Sequence, residues 1–497
     1  RRRWRRRQRR GRCVLGKVRG VHRLASPFLM DDMAGTKQLQ RVDSFAYQTP
    51  RFAPWAFLLL ACAVAVFISM EISHFHEPSM WKVAAKLLWK NASVRPPLLV
   101  VITVAGWAWV IRVCRASAMN LELVLGGAVQ PPVATYHGAL VMLSLLMSMH
   151  TIHIVASDIP GLTWRPWLTC NLLLHALFVV LALMPRQTFH GEARLSLVRT
   201  LVESVLAPLT PVTFWHVIVA DYLTSMAKAM SDLQLTCCIS KHILAHDHAH
   251  PHAANVVAAV ANAAAVLPGS SAAAVQGTYV RTTELWGRYH EHCGDSYANA
   301  LLLALPFWWR LMQCLKVYSQ TREQKNLWNA LKYATAFPLV YTGYLKRHEP
   351  SATHDALFVC AAVLQSSFTF VWDVLMDWGL PQRAKSERAR GICGYTLREP
   401  LLVTRSPAAY GLLCVVNLLL RFAWTLSIFA GVKGYGAGMF FFEVIEVFRR
   451  TVWAVFRIEW EVIVKVYSTA QETKHLTSGD SEASEEQGLE AAKDLED

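Results

Sequence analysis

Five short groups of ionisable residues sit inside otherwise apolar stretches, from residue 221 onward. Asp221, Thr224, Ser225, Lys228 and Asp232 are spaced so that an unbroken helix would carry them on one stripe. Lys332 and Tyr333 form the second group, Asp373 and Asp377 the third, and Arg421 with Trp424 the fourth. Glu446, Arg449 and Arg450 form the fifth. A charge at mid-membrane costs about 2.5–3.5 kcal/mol on insertion scales, so such residues are rare unless they face a polar cavity or a partner. Arginine's planar fork matches a tetrahedral oxyanion through paired N–H donors. Carboxylates beside it would hold the arginines in place and keep anion binding weak enough for release. A carboxylate can also accept the proton that HPO₄²⁻ carries and sulfate lacks; Asp373, the deeper of its pair, is the residue expected to do so.

Each group has a plainer reading. Asp221 and Lys228 could sit in interfacial water at a helix end, and Lys332 could snorkel. Asp377 precedes Gly379-Leu380-Pro381 and could anchor a helix end. Arg450 could be a structural clamp to a carboxylate such as Glu446, which reaches Arg449 or Arg450 one turn on. Arg421 has apolar residues on both sides, and Trp424, three residues later, could pack on its guanidinium or close a passage.

The elements that carry these groups are apolar runs near the length of about 20 residues needed to cross a bilayer. The 497 residues are 54% hydrophobic and 17% charged, against about 25% charged in soluble domains. Ten spans are expected, at 55–72, 98–114, 135–155, 167–184, 201–223 (running on as one helix to about 238), 297–315, 327–345, 356–378, 408–429 and 439–456. The fold class is therefore an all-α polytopic membrane protein with about ten transmembrane helices.

Basic residues in alternate loops, Arg398 among them, put both termini in the cytoplasm. Arg95 falls in an outer loop that also holds the N-x-[ST] acceptor Asn91. The net charge of +15 reflects an arginine-rich start and short loops rather than a nucleic-acid surface, so no nucleic-acid partner is expected. The eleven cysteines lack CxxC pairs and read as neither a disulfide framework nor a zinc site. Between 240 and 296, His242, His246, His248, His250 and His252 could suit a transition metal. No acidic or cysteine partner repeats beside them, so a structureless luminal loop and no metal are expected. Hydrolase, metalloprotease, Walker and dinucleotide motifs are missing, which argues against an enzyme and leaves no cofactor expected.

Six motifs then stand in order: Ala220-Asp221-Tyr222-Leu223-Thr224-Ser225, Arg310-Leu311-Met312-Gln313-Cys314, Asn329-Ala330-Leu331-Lys332-Tyr333, Trp372-Asp373 through Asp377-Trp378-Gly379-Leu380, Leu420-Arg421 through Trp424-Thr425, and Glu446 through Arg449-Arg450. On these the stretch from about 208 to 461 resembles the EXS domain. That domain is shared by the xenotropic and polytropic retrovirus receptor, plant root phosphate exporters and a yeast Golgi-retention protein. The resemblance implies inorganic phosphate export along a channel-like path in the last six helices, with the first four helping a homodimer form. It puts phosphate on Asp221, Thr224, Lys332, Tyr333, Asp373, Arg421, Arg449 and Arg450, a gate at Trp424, and support at Glu446 and Asp377. Tyr222 replaces a frequent Gln, and Arg457-Ile458-Glu459-Trp460-Glu461-Val462 lacks the family's Asn and His. The residues before Trp55 are too few for the exporters' SPX domain, so either that control is missing or the sequence is truncated.

The expected organisation is a basic cytoplasmic segment (1–53), four helices (54–190), an EXS-like transport domain (195–465) with its luminal insert (240–296), and an acidic cytoplasmic tail (466–497). The partners are phosphate and membrane lipid, and the membrane is that of the Golgi, another endomembrane or the cell surface. The alternative is a non-transporting scaffold that sorts or retains Golgi proteins.

Overall fold

The computed structural model describes residues 95–126, 132–157, 165–185, 187, 190–249, 292–294, 296–383, 395–423, 425 and 440–466. The basic N-terminal segment, the first expected span, Trp424, and the acidic tail apart from residue 466 lie outside them. The described residues belong to one compact unit, Ala56–Asp497, and are mostly helical.

The helices are α1 (Arg95–Ala116), α2 (Leu121–Leu125), α3 (Pro132–Ser157), α4 (Arg165–Leu183), α5 (Gly191–Val205), α6 (Phe214–Ser225) and α7 (Ala227–Ala249). They continue with α8 (Tyr297–Thr321), α9 (Gln324–Ala334), α10 (Ala336–His348), α11 (Ala352–Trp372), α12 (Pro407–Arg421) and α13 (440–466). Among the described residues, three stretches are long and apolar enough to cross a membrane: Arg95–Ala116, Tyr297–Thr321 and Ala352–Asp377. At 1.5 Å per residue the shortest, with 22 residues, reaches about 33 Å, enough for a hydrocarbon core of about 30 Å.

The helices carry large apolar side chains on their outer faces as well as in the core, and polar side chains are buried on their inner faces. On α12, Tyr410, Leu413 and Asn417 are buried while Leu412, Val415 and Leu419 are exposed. On α11, Ala362, Ser366, Thr369 and Trp372 are buried while Val359, Val363, Leu364 and Val371 are exposed. Helix α13 sits at the centre. Its Trp453, Val455, Ile458 and Val462 pack with Val110 and Ile111 of α1, Ile218 and Tyr222 of α6, and Leu413 of α12. Gly106 of α1 lets it approach closely, because a Cβ there would lie 2.7 Å from Thr451 Oγ1.

Several expected helices are broken. The run 201–238 is three helices rather than one. Pro208 and Pro211, which lack N–H donors, end α5, and α6 starts after a capping box between Thr213 and His216. A second break falls at Met226, whose N–H bonds to Leu223 and Tyr222. The expected span 327–345 divides at Thr335, because the ring of Pro338 disrupts the helix at the carbonyl four residues back, Ala334. Helix α11 passes into a π turn, Asp373–Asp377. Gly379, at φ +54°, ends it where a Cβ would meet the Trp460 ring at 2.5 Å. Helix α12 ends in a turn after Arg421, inside the expected span 408–429, and α13 runs ten residues past the expected 456.

The all-α expectation also needs one amendment, a two-stranded antiparallel ribbon of β1 (Pro381–Arg383) and β2 (Tyr395–Leu397). It delivers Arg398 inward, not to a cytoplasmic surface. The Arg398 guanidinium is fully buried and lies 2.6 Å from Glu459 on α13. Glu459 also accepts from the N–H groups of Leu402 (2.5 Å) and Val403 (3.1 Å) and from the Tyr410 hydroxyl (2.6 Å). Deleting one partner of such a pair strands a buried charge. Glu459→Ala is expected to destabilise the protein by about 3–5 kcal/mol, read as a lower thermal midpoint of the detergent-solubilised chain.

Candidate anion-binding site

A cavity of about 400 Å³ opens between α6, α8, α9, α11, α12 and α13, near the lower end of the 300–1,000 Å³ or so usual for small-ligand sites. Among its lining residues, Lys332, Arg421 and Arg450 bring positive charge, Glu446 brings a carboxylate, and Thr224 and Tyr333 bring hydroxyls.

Three carboxylate anchors set these side chains. Behind the cavity, Asp221 Oδ1 accepts from Arg310 Nε at 2.8 Å and from the Tyr333 hydroxyl at 2.5 Å. Arg310 also donates to Gln313 (2.6 Å) and to Tyr333 (3.0 Å), so α6, α8 and α9 are locked by one buried cluster. At the π turn, Asp373 Oδ2 accepts from Arg421 Nη2 at 2.7 Å and Asn417 Nδ2 at 3.0 Å, with Arg449 Nη1 at 3.6 Å. On α13, Glu446 takes both Nε (2.8 Å) and Nη2 (2.6 Å) of Arg449, a bidentate pair.

Arg450 differs from the other cations. Among the described residues it has no carboxylate in ion-pair contact. It donates instead to the hydroxyls of Ser225 (2.9 Å) and Thr224 (3.3 Å), and its guanidinium lies 4.6 Å from the Trp453 ring centroid. Ser225 in turn donates to Glu446 at 2.8 Å. Among the described residues, six cations (Arg310, Lys332, Arg421, Arg449, Arg450, Arg457) thus face five carboxylates (Asp221, Asp373, Asp377, Glu446, Glu461), which leaves an excess positive charge beside an open space. Lys332 is loosely paired, 3.9 Å from Asp377 Oδ2 and 4.3 Å from the Tyr333 ring centroid. Such an arrangement can hold a small oxyanion by charge and by N–H and O–H donors.

The EXS family model matches residues 92–463, about three quarters of the chain. The chain belongs to the EXS family. "SPX and EXS domain-containing protein 1" of Dictyostelium discoideum is 26% identical over 65% of the chain and 30% of its own length. "Solute carrier family 53 member 1" of Mus musculus is 29% identical over 58% of the chain and 38% of its own length. "Xenotropic and polytropic retrovirus receptor 1 homolog" of Danio rerio is 28% identical, with the same coverage. The chain therefore spans about a third of the length of the curated relatives it matches.

Within this EXS unit the expected residues separate into two layers. Thr224, Lys332, Tyr333, Arg421, Glu446 and Arg450 line the cavity; Asp221, Asp373, Arg449 and Asp377 are not among its lining residues. Asp373 and Asp377, at the two ends of the π turn, take different partners: Asp377 lies beside Lys332 (3.9 Å), Trp453 Nε1 (3.2 Å) and Arg457 (3.6 Å). The first stripe is also divided, because the break at Met226 turns Lys228 and Asp232 away from Asp221. Lys228 pairs with Asp232, whose other oxygen lies 3.4 Å from Arg95. Arg95 is thus a buried helix residue and not an outer-loop charge.

Sequence reasoning gave no role to Arg310, Asn417, Ser366 or Thr369. The last two face the cavity on α11, and their signal was a small or polar residue every three to four positions, Ala362, Ser366, Thr369 and Asp373. Glu443, one turn before Glu446, was also passed over. It is buried beside Lys228, Asp232 and Arg95, and neither carboxylate oxygen accepts a hydrogen bond from the described residues. An unbonded buried carboxylate stabilises little. Glu443→Gln is expected to keep or raise the thermal midpoint, while Glu446→Gln, which loosens the bidentate pair, lowers it. A large drop in the first variant would show that Glu443 is needed to hold the fold.

Proposed function

We propose that the chain moves inorganic phosphate across a membrane through the cavity between α6 and α13. The observation that carries this reading is Arg450, a buried guanidinium held by two hydroxyls rather than a carboxylate, at the wall of an open space. A structural ion pair would have consumed it. The scaffold alternative accounts for Arg398–Glu459 and Arg310–Asp221 but leaves the excess charge and the cavity without a use.

That the anion is phosphate rests on the motifs that resemble phosphate exporters, and a solute-carrier name among the relatives agrees with transport. The path consists of Thr224, Lys332, Tyr333, Arg421 and Arg450 at the cavity, with Asp221, Asp373, Arg449 and Asp377 positioning them. Glu446, at the wall, replaces Asp373 as the group placed to accept the proton of HPO₄²⁻. Trp424 remains the proposed gate.

The wider reading keeps ten spans, with the first four helping a homodimer form. Both termini lie in the cytoplasm, and the membrane is that of the Golgi, another endomembrane or the cell surface. The disulfide Cys238–Cys293 agrees with an outer or luminal position for the insert, because disulfides persist in oxidising compartments. No energy source is assigned, and flux follows the electrochemical gradient.

Efflux from phosphate-loaded proteoliposomes tests the reading. Loss of a hydrogen bond to a charged group is worth about 1.5–3 kcal/mol. Arg450→Ala and Arg421→Ala are therefore expected to cut efflux about tenfold to a hundredfold. Equal leak from wild type and both variants would remove the transport reading. In the same assay Glu446→Gln is expected to narrow the preference for phosphate over sulfate, and an unchanged ratio would remove its proton-accepting role.

A further inference from the structure

The cysteines and histidines at the mouth of the insert are not used by the phosphate path. The expectation of no disulfide is corrected here: Cys238 on α7 is bonded to Cys293, 55 residues later, with Cα atoms 5.9 Å apart. The start of the insert is also ordered, since α7 continues to Ala249. This brings His242 one helical turn after Cys238, on the same face. Sγ of Cys238, a ring nitrogen of His242 and Sγ of Cys293 all lie within 4.8 Å of one another. His292 adds a second imidazole, its ring centroid 5.3 Å from that of His242.

We propose that these four residues form, when the disulfide is reduced, a Cys₂His₂ site for a borderline-soft divalent cation of the Zn²⁺ type. Tetrahedral zinc takes Zn–S near 2.3 Å and Zn–N near 2.0–2.1 Å, which sets ligand atoms about 3.3–3.8 Å apart. Cys238, His242 and Cys293 start with their ligand atoms within 4.8 Å of one another, and His292, next to Cys293 in the chain, turns its ring inward to supply the fourth. Two thiolates and two imidazoles select such a cation over Mg²⁺ or Ca²⁺, which prefer oxygen.

The chemistry balances in two steps. A dithiol reductant transfers two electrons and two protons to the Cys238–Cys293 bond, giving two thiols and becoming a disulfide itself. The cation then replaces the two thiol protons, which leave to solvent. In either state the two ends of the insert are tied together, by a covalent bond in an oxidising compartment and by a metal under reducing conditions. The other histidines of the tract are not required.

The test uses the full chain in detergent, reduced with a non-coordinating phosphine, freed of it anaerobically and titrated with Co²⁺. The reduced protein is expected to bind one equivalent with a thiolate-to-cobalt charge-transfer band that Zn²⁺ displaces, and the oxidised protein to show none. His242→Ala, which leaves both cysteines, is expected to weaken binding at least tenfold. Replacing His246, His248, His250 and His252 together by Ala is expected to leave it unchanged. The proposal is overturned if the reduced wild type shows no thiolate band, if the band survives Cys293→Ser, or if His242→Ala binds like wild type. Phosphate efflux is a separate readout, so failure here leaves the transport reading standing.

Discussion

Arg449 ties three elements of the site together. Its guanidinium holds Glu446 with two hydrogen bonds, lies 3.6 Å from Asp373 and donates to Asn417 at 3.4 Å. Those contacts tie α13 to the π turn and to α12. Asn417 and Asp373 then fix Arg421. A charge this deep in an apolar bundle is tolerable only when its donors are matched, so the surrounding helices are placed by the need to match it. Arg449 itself is not among the cavity-lining residues. It orients Glu446 and Asp373, while Arg450 at the wall is held by the hydroxyls of Ser225 and Thr224.

The broken helices serve the same requirement. A straight helix can present only one stripe to the bundle interior, and it carries its backbone groups bonded to itself. Breaks at Met226 and Thr335 and the π turn at Asp373–Asp377 re-aim side chains in mid-course. Asp221 is thereby directed to Arg310 while Lys228 and Asp232, a few residues on, serve Arg95. At the π turn Asp373 and Asp377 serve different cations on different helices. Such interruptions are tolerated at membrane depth when they are buried in protein or line a cavity, and each of these three has buried side chains beside it: Ser225, Tyr333 and Asp373.

Much of the chemistry was legible in the sequence. Lys332, Arg421, Glu446 and Arg450 stood out as charges in apolar runs, and the structure brings them to one cavity. What could not be read was who pairs with whom. The stripe from Asp221 to Asp232 presumes a continuous helix, and Met226 carries no strong breaking signal of its own. Pro208, Pro211 and Pro338 did carry one, and apolar content hid it. Arg398 and Arg95 looked like loop charges because each lies beside polar sequence; only tertiary packing brings Glu459 and Asp232 to them. Ser366 and Thr369 carry no charge, and they emerge only once α11 is seen with its apolar face outward.

The pairing pattern also separates what holds the EXS unit together from what it can offer a ligand. Glu459 accepts from four donors, and Asp221 is shared between Arg310 and Tyr333. Neither is among the cavity-lining residues. Among the described residues Arg450 is bonded only to neutral hydroxyls, and Lys332 has its carboxylate at the far limit of an ion pair. Hydroxyls satisfy donors without cancelling charge, so an arriving anion finds positive potential that it need not first free from a carboxylate. Because Glu446 sits one hydrogen bond away through Ser225, that potential is tempered and the anion can leave again. Under the proposed transport reading, attraction and release are set by the same three residues, Arg450, Ser225 and Glu446.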